Sequence, residues 1–248
     1  IGVRLVGSEM CIRDRNQQEF FDMTAELLGQ IQPGAQAEVV SGEEEALLSF
    51  NGAVADLEPD RGPFCVIDLG GGSTEFVVGT ADGEILGTHS ARMGCVRLTE
   101  RIMRTDPPTE SEIEIASEYV GERTAEVEDI VPISKARTIV GCAGTFTTLS
   151  ALAQGLERYD ADAIHGSELR FGALRVLLQQ LIALPSDVRA LNPVIHPGRA
   201  DVIGGGAVAV EGIMQLIERN CAARSFFISE KDILDGIIAG LAAEGTPR

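Results

Sequence analysis

The sequence predicts a layered α/β protein, and three observations lead there. Short aliphatic runs alternate with longer patterns of helical period, the arrangement that stacks helices on a sheet. Runs of this kind break into glycine at Gly70, Gly141 and Gly204, so several loops converge on one place. The chain of 248 residues is 44% hydrophobic yet has no Trp and only 4% aromatics, so its core is aliphatic.

The elements come in this order. Asn16 reads as an N-cap, and Phe20, Phe21, Leu27 and Leu28 mark a helix that ends at Gly29. Ala37-Glu38-Val39-Val40 reads as a short strand. Ser41-Gly42-Glu43-Glu44 forms a capping box that opens a helix through Leu47, Leu48 and Phe50. Glu58 to Gly62 is a linker. Phe64-Cys65-Val66-Ile67 and Phe76-Val77-Val78 are strands on either side of a triple-glycine turn, and Asp82-Gly83 turns the chain into a third strand over Glu84 to Arg92. Helices are predicted at Val96 to Met103 and Thr109 to Val127, then a strand from Arg137 to Val140 and a helix through Leu149 and Leu152. An Ala- and Gly-rich helix covers Arg199 to Glu218, and after it come a strand, Ser225 to Ile228, and a closing helix, Ile233 to Ala243.

Composition excludes whole classes of function. A formal net charge of −18 with no Lys/Arg block rules out a broad nucleic-acid-binding face. A polyanion is then held only through a local site of arginines, metal and backbone amides. No apolar run is long enough to cross a bilayer. The five cysteines form no CxxC pair and keep no zinc-ligand spacing with the three histidines, as expected of free thiols in a cytoplasmic protein. Residues 1–15 lack the periodic patterning of the rest of the chain. Met10-Cys11-Ile12-Arg13-Asp14 resembles a translated sequencing-library adapter, so this segment is set apart as non-native.

The run Asp68-Leu69-Gly70-Gly71-Gly72-Ser73-Thr74-Glu75 carries the most chemistry. Glycines let backbone N–H groups approach an anion closely, and carboxylates at the two rims suit a hard cation such as Mg²⁺. A Gly-rich hairpin with solvated ends is the plainer alternative. Behind the Ser41 cap, Glu44 falls at the third helical position, where it bonds back to the cap, whereas Glu45 is turned about 100° away and is available to orient or deprotonate a water. All three glutamates would equally suit the helix dipole. Gly141-Cys142-Ala143-Gly144-Thr145 presents amides to a phosphate or makes a close crossing. Gly204-Gly205-Gly206 serves either close helix packing or phosphate contact. Arg92 and Arg97 flank Met93-Gly94-Cys95 and suit phosphate oxygens, or surface ion pairs. His165 reads as a hydrogen-bonded loop residue.

Taken together, Ser41-Gly42-Glu43-Glu44-Glu45-Ala46, Asp68 to Glu75, Arg92-Met93-Gly94-Cys95-Val96-Arg97-Leu98 and Gly141 to Thr145 resemble the exopolyphosphatase/guanosine pentaphosphate phosphohydrolase (Ppx/GppA) family in order and spacing. The likeness runs from about Asn16 to the C-terminus. It implies an actin-like fold of the ribonuclease H-like type, shared with Hsp70 and sugar kinases. Residues 16–62 would be the end of a partial first domain and residues 63–248 a nearly complete second one, the last helix returning toward the first. Carried over, Glu45 is the catalytic glutamate, Asp68 and Glu75 position Mg²⁺, and Gly70, Gly71, Gly72, Ser73 and Thr74 bind phosphate. Gly144 and Thr145 fall where related folds contact nucleotide, and Arg92 and Arg97 are candidate polyanion contacts. The implied substrate is inorganic polyphosphate, with guanosine pentaphosphate or an inactive phosphate-binding fragment as alternatives, no nucleic acid or membrane partner, and a tendency to form homodimers. Two features depart from the family: no first phosphate loop precedes Asn16, and Leu234-Asp235-Gly236 stands where Arg-Glu-Gly is usual.

Overall fold

A computed structural model describes residues 17–37 and 41–244. The segment set apart at 1–15, the Asn16 cap and residues 38–40 of the expected strand lie outside the described residues. Helix α1 (Gln17–Ile31) runs two residues past Gly29. Helix α2 (Gly42–Val54) opens where the capping signal placed it, and the Ser41 hydroxyl accepts from the Glu44 N–H at 3.1 Å.

Six strands form one sheet: β1 (Phe64–Leu69), β2 (Thr74–Gly79), β3 (Ile85–Ala91), β4 (Thr138–Cys142), β5 (Glu168–Arg170) and β6 (Ser225–Ile228), in the order β3-β2-β1-β4-β6-β5. The first three make an antiparallel meander, while β4 joins β1 in parallel and β6 joins β4 in parallel. Gly83, at φ +86°, supplies the left-handed residue that the β2–β3 turn requires.

Register decides which residues share a face. Phe64, Val66 and Asp68 alternate with Cys65, Ile67 and Leu69 along β1, and Val66 pairs with both Val77 and Val140. One face therefore carries Phe64, Val66, Val77, Val140 and Cys142, which are buried with Ala46, Phe50 and Ala53 of α2. The opposite face buries Cys65, Ile67, Leu69, Phe76 and Ile139 beneath the larger core. Its helices include α3 (Cys95–Arg101), α4 (Glu110–Ile130), α5 (Ala143–Ala153), α7 (Phe171–Ala183) and α9 (Ile203–Asn220); two single turns, α6 (Ala161–Ile164) and α8 (Ser186–Arg189), complete the count before α10 (Ile233–Glu244). With helices on both sides, β1 is apolar on both faces from Phe64 to Ile67 rather than alternating.

Two helices differ from expectation at their starts. α4 begins after a full capping box, with Thr109 and Glu112 bonding each other's backbone. α9 starts at Ile203 rather than Arg199, because Pro197–Arg199 forms a 3₁₀ turn first. Its glycines serve packing: a Cβ on Gly205 would lie 2.7 Å from the Cys95 carbonyl, and one on Gly206 would lie 2.9 Å from Thr145 Cγ2. Of the two readings left open for this run, close helix packing is the one the contacts bear out.

Helix α10 crosses α2 with the backbones in contact. A Cβ on Gly52 would overlap the Asp232 carbonyl, and one on Gly236 would overlap the Leu48 carbonyl. The Gly236 that comes after Asp235 is thus needed for this crossing. The residues assigned to a first-domain remnant, 41–54 at least, share a core with the sheet.

Candidate active site

The triple-glycine turn hangs from the first turn of α3. The Gly70 carbonyl accepts from the Cys95 N–H at 3.1 Å, the Gly71 carbonyl from the Arg97 N–H at 3.0 Å, and the Gly72 carbonyl from Arg97 Nε at 2.7 Å. A trans peptide holds its C=O and N–H antiparallel. The N–H groups of the same three planes, on Gly71, Gly72 and Ser73, therefore point away from α3. Among the described residues no protein acceptor takes them. Gly94 permits this approach, since a Cβ there would lie 2.6 Å from the Gly72 nitrogen.

Two of the residues grouped as phosphate ligands have other work. The Gly70 N–H donates to the Ser73 carbonyl at 3.0 Å and closes the turn. The Thr74 hydroxyl is fully buried and donates to the Met93 carbonyl, so it cannot face a ligand. Arg97 reaches the turn by donating its Nε to the Gly72 carbonyl, whereas Arg92 is exposed and its own carbonyl accepts from Tyr119 Oη at 2.7 Å.

Three further carboxylates act electrostatically on Asp68, at the start of the turn. Asp68 is paired in register with Glu75 and with Cys142, on the face that α2 covers. Its carboxyl is pushed up to about 7, chiefly by burial and then by the negative charges of Glu75, Asp232 and Glu45. Glu45, exposed in the first turn of α2, is thereby within electrostatic reach of Asp68. The Glu75 Oε1 accepts from the Ser90 hydroxyl at 2.9 Å. Asp232 was not picked out from sequence; its Oδ1 accepts from the Leu234 N–H at 3.0 Å and so caps α10. It comes after β6 as Gly70 comes after β1 and Ala143 after β4, and that common position past the carboxyl ends of strands was the available signal.

The junction of β4 and α5 is strained and covered. Ala143 adopts φ +67°, a left-handed conformation that costs a non-glycine residue. Gly144 lies against the Arg199 guanidinium, whose Nη1 donates to the Gly144 carbonyl at 3.2 Å, and a Cβ would collide with it. Thr145 is buried under Gly206. The side chain of Thr145 is thus removed from ligand contact by packing, and Arg199 occupies the ground before Gly144. No sequence pattern pointed to Arg199.

This arrangement of a sheet meander, a glycine turn and a carboxylate-bearing connecting helix has clear relatives. A family model described as the Ppx/GppA phosphatase family matches residues 2–240. The chain belongs to that family. It is 48% identical over 240 residues to "Exopolyphosphatase 2" of Mycobacterium tuberculosis, covering 97% of this chain and 75% of the relative. It is 31% identical over 238 residues to guanosine-5'-triphosphate,3'-diphosphate pyrophosphatase of Vibrio parahaemolyticus, covering 87% of this chain and 45% of that one. The crystal structure of an exopolyphosphatase-like protein superposes with a TM-score of 0.82 at 37% identity, over 93% of this chain and 74% of the other. The Ppx/GppA protein is accordingly an enzyme with the actin-like fold.

The donor set fits a divalent cation of one kind. Oxygen-only ligands that repel one another suit a hard ion such as Mg²⁺. Among the described residues no three acidic, His or Cys side chains are placed to enclose an ion by themselves.

Proposed function

We propose that this Ppx/GppA enzyme hydrolyses the terminal phosphoanhydride of inorganic polyphosphate, releasing orthophosphate. The observation that carries the reading is the set of outward amides on Gly71, Gly72 and Ser73 that follows Asp68, a carboxylate within electrostatic reach of Glu45. The identity to an exopolyphosphatase supports the substrate.

In this reading the amides of Gly71, Gly72 and Ser73 receive the non-bridging oxygens of the terminal phosphoryl group. Arg97 holds the Gly72 carbonyl and so keeps those amides aimed. Arg92, exposed nearby, meets the rest of the anionic chain. Asp68 and Glu75 would hold Mg²⁺, which when bound neutralises charge on the transferring group. Glu45, in the first turn of α2, accepts a proton from the attacking water. The water oxygen bonds to phosphorus, the bridging P–O bond breaks, and the chain leaves one phosphate shorter.

The test is orthophosphate release from long-chain polyphosphate by Glu45→Gln. A loss of roughly 10²- to 10⁴-fold in kcat is expected of a missing general base. Undiminished turnover would rule out Glu45. The Vibrio relative makes guanosine pentaphosphate the second substrate to assay, and faster turnover of it than of polyphosphate would replace the first substrate.

A further inference from the structure

Beyond the carboxylates, one polar cluster ties the parts that carry them. Asp56, just past the end of α2, accepts from two elements at once. Its Oδ2 lies 2.9 Å from His165 Nε2 and 2.6 Å from Lys231 Nζ. His165 Nδ1 accepts from the Glu230 N–H at 3.2 Å, so the ring proton sits on Nε2 and is donated to Asp56. Lys231 is the neighbour of Asp232. The loop between them and β6 is anchored from the other side, where the Ser229 N–H donates to the Gly141 carbonyl at 3.0 Å. These bonds keep the Asp56 carboxylate ionised below its ordinary range, Lys231 being the larger cause.

The space beneath this cluster gives it importance. A partly open hollow of about 150 Å³ lies against the cluster, lined by Asp56 and His165 themselves and by Ala53, Leu57, Val140 and Phe227. α2 touches α10 closely at Gly52, between Asp56 and Glu45. At 1.5 Å per residue, Asp56 lies about 6 Å to one side of that contact and Glu45 about 10 Å to the other. A second close contact, of Gly236 with the Leu48 carbonyl, lies between Gly52 and Glu45, so α2 is held to α10 along its length, and the Asp56 bonds fix the end of that same helix to the loop that carries Asp232.

We infer that Asp56 is a positioning residue that sets Glu45 and Asp232 over Asp68 by clamping α2 to the His165 and Lys231 loops. This rests on the reading of Glu45 given above. The test compares full-chain Asp56→Asn, Lys231→Met and Lys231→Arg with wild type and Glu45→Gln, by thermal melt, orthophosphate release from polyphosphate and amide exchange. Asp56→Asn is expected to fold, to speed amide exchange through residues 44–48, and to lose roughly 10- to 100-fold in kcat. Its KM should move less than about threefold, since the glycine turn is untouched. Lys231→Met should show a smaller loss of the same kind, and Lys231→Arg should restore turnover. In the Glu45→Gln background Asp56→Asn should add no further loss. Full kcat in folded Asp56→Asn and Lys231→Met, or a loss that multiplies with that of Glu45→Gln, overturns the inference. An inactive Glu45→Gln beside a fully active Asp56→Asn overturns this inference alone, whereas wild-type turnover by Glu45→Gln overturns the assignment of the base.

Discussion

Asp68 and Glu75 face each other as register partners across β1 and β2, one buried enough to be pushed up to about 7 and the other tied to the Ser90 hydroxyl. The Glu75 charge opposes ionisation of Asp68, and a divalent cation between them would relieve that opposition.

Cation affinity should therefore depend on pH. Below about 7 the Asp68 carboxyl holds a proton that must leave before it can serve as a ligand. The affinity for Mg²⁺ or Mn²⁺, titrated calorimetrically from about pH 5.5 to 8.5, should fall about tenfold per unit below 7 and level off above it. A flat profile would count against Asp68 as a ligand.

Stability should carry the same signature with the sign of a raised acid. The folded protein binds the Asp68 proton more tightly than the unfolded chain, so this group favours folding at low pH. That advantage is lost as pH rises from about 4 through about 7. Asp68→Asn, which removes the charge, should raise Tm at pH 8 relative to wild type without added cation, by ~2–4 °C for each kcal/mol relieved. Thermal melts of both proteins at pH 5 and pH 8 check this; an Asp68→Asn Tm equal to or below that of wild type at pH 8 contradicts it.

Gly94→Ala should uncouple the glycine turn from α3. The new Cβ would press on the Gly71–Gly72 peptide, a rigid neighbour that must shift. Overpacking of this kind costs about 1–3 kcal/mol. Polyphosphate binding should weaken more than cation binding does, as read by competition with a fluorescent polyanion. Retention of wild-type affinity would mean that the Gly71 and Gly72 amides are not the anchor.

Gly236→Ala should be far more damaging to the fold than an exposed helix substitution, which at such a site would add helix propensity. Its Cβ would overlap the Leu48 carbonyl, so α10 must move off α2. A loss of several kcal/mol in a urea melt is expected, at the upper end of single-site effects. A change below about 0.5 kcal/mol would show that the crossing is loose.

Much of this was legible in the sequence because its signals are local. The run of four apolar residues before Asp68, the triple glycine and the Asp82-Gly83 turn each fix a short stretch of backbone, and β1, β2 and β3 stand where they indicate. The Ser41 cap placed Glu45 on the first turn of α2 for the same reason. Roles that depend on distant partners were not legible. Thr74 sits among glycines in sequence, yet its hydroxyl belongs to Met93, nineteen positions on. Gly144 and Thr145 look open until α9 and Arg199 are laid over them. Asp232 and Asp56 are ordinary helix-end residues until the sheet order brings β6 beside β4 and α10 across α2. The Gly204 run was ambiguous because a missing Cβ admits a ligand or a helix equally, and only the neighbouring chain decides.

The attachment of the glycine turn to α3 has one further consequence. Because its carbonyls are engaged within the fold, the amide socket holds its shape before any anion arrives, and the ordering entropy of that ribbon has been lost during folding rather than at docking. Grip strength is thus set from behind, by Gly94, Cys95 and Arg97. Variation in α3 can tune retention of a long anionic chain while leaving every carboxylate in place.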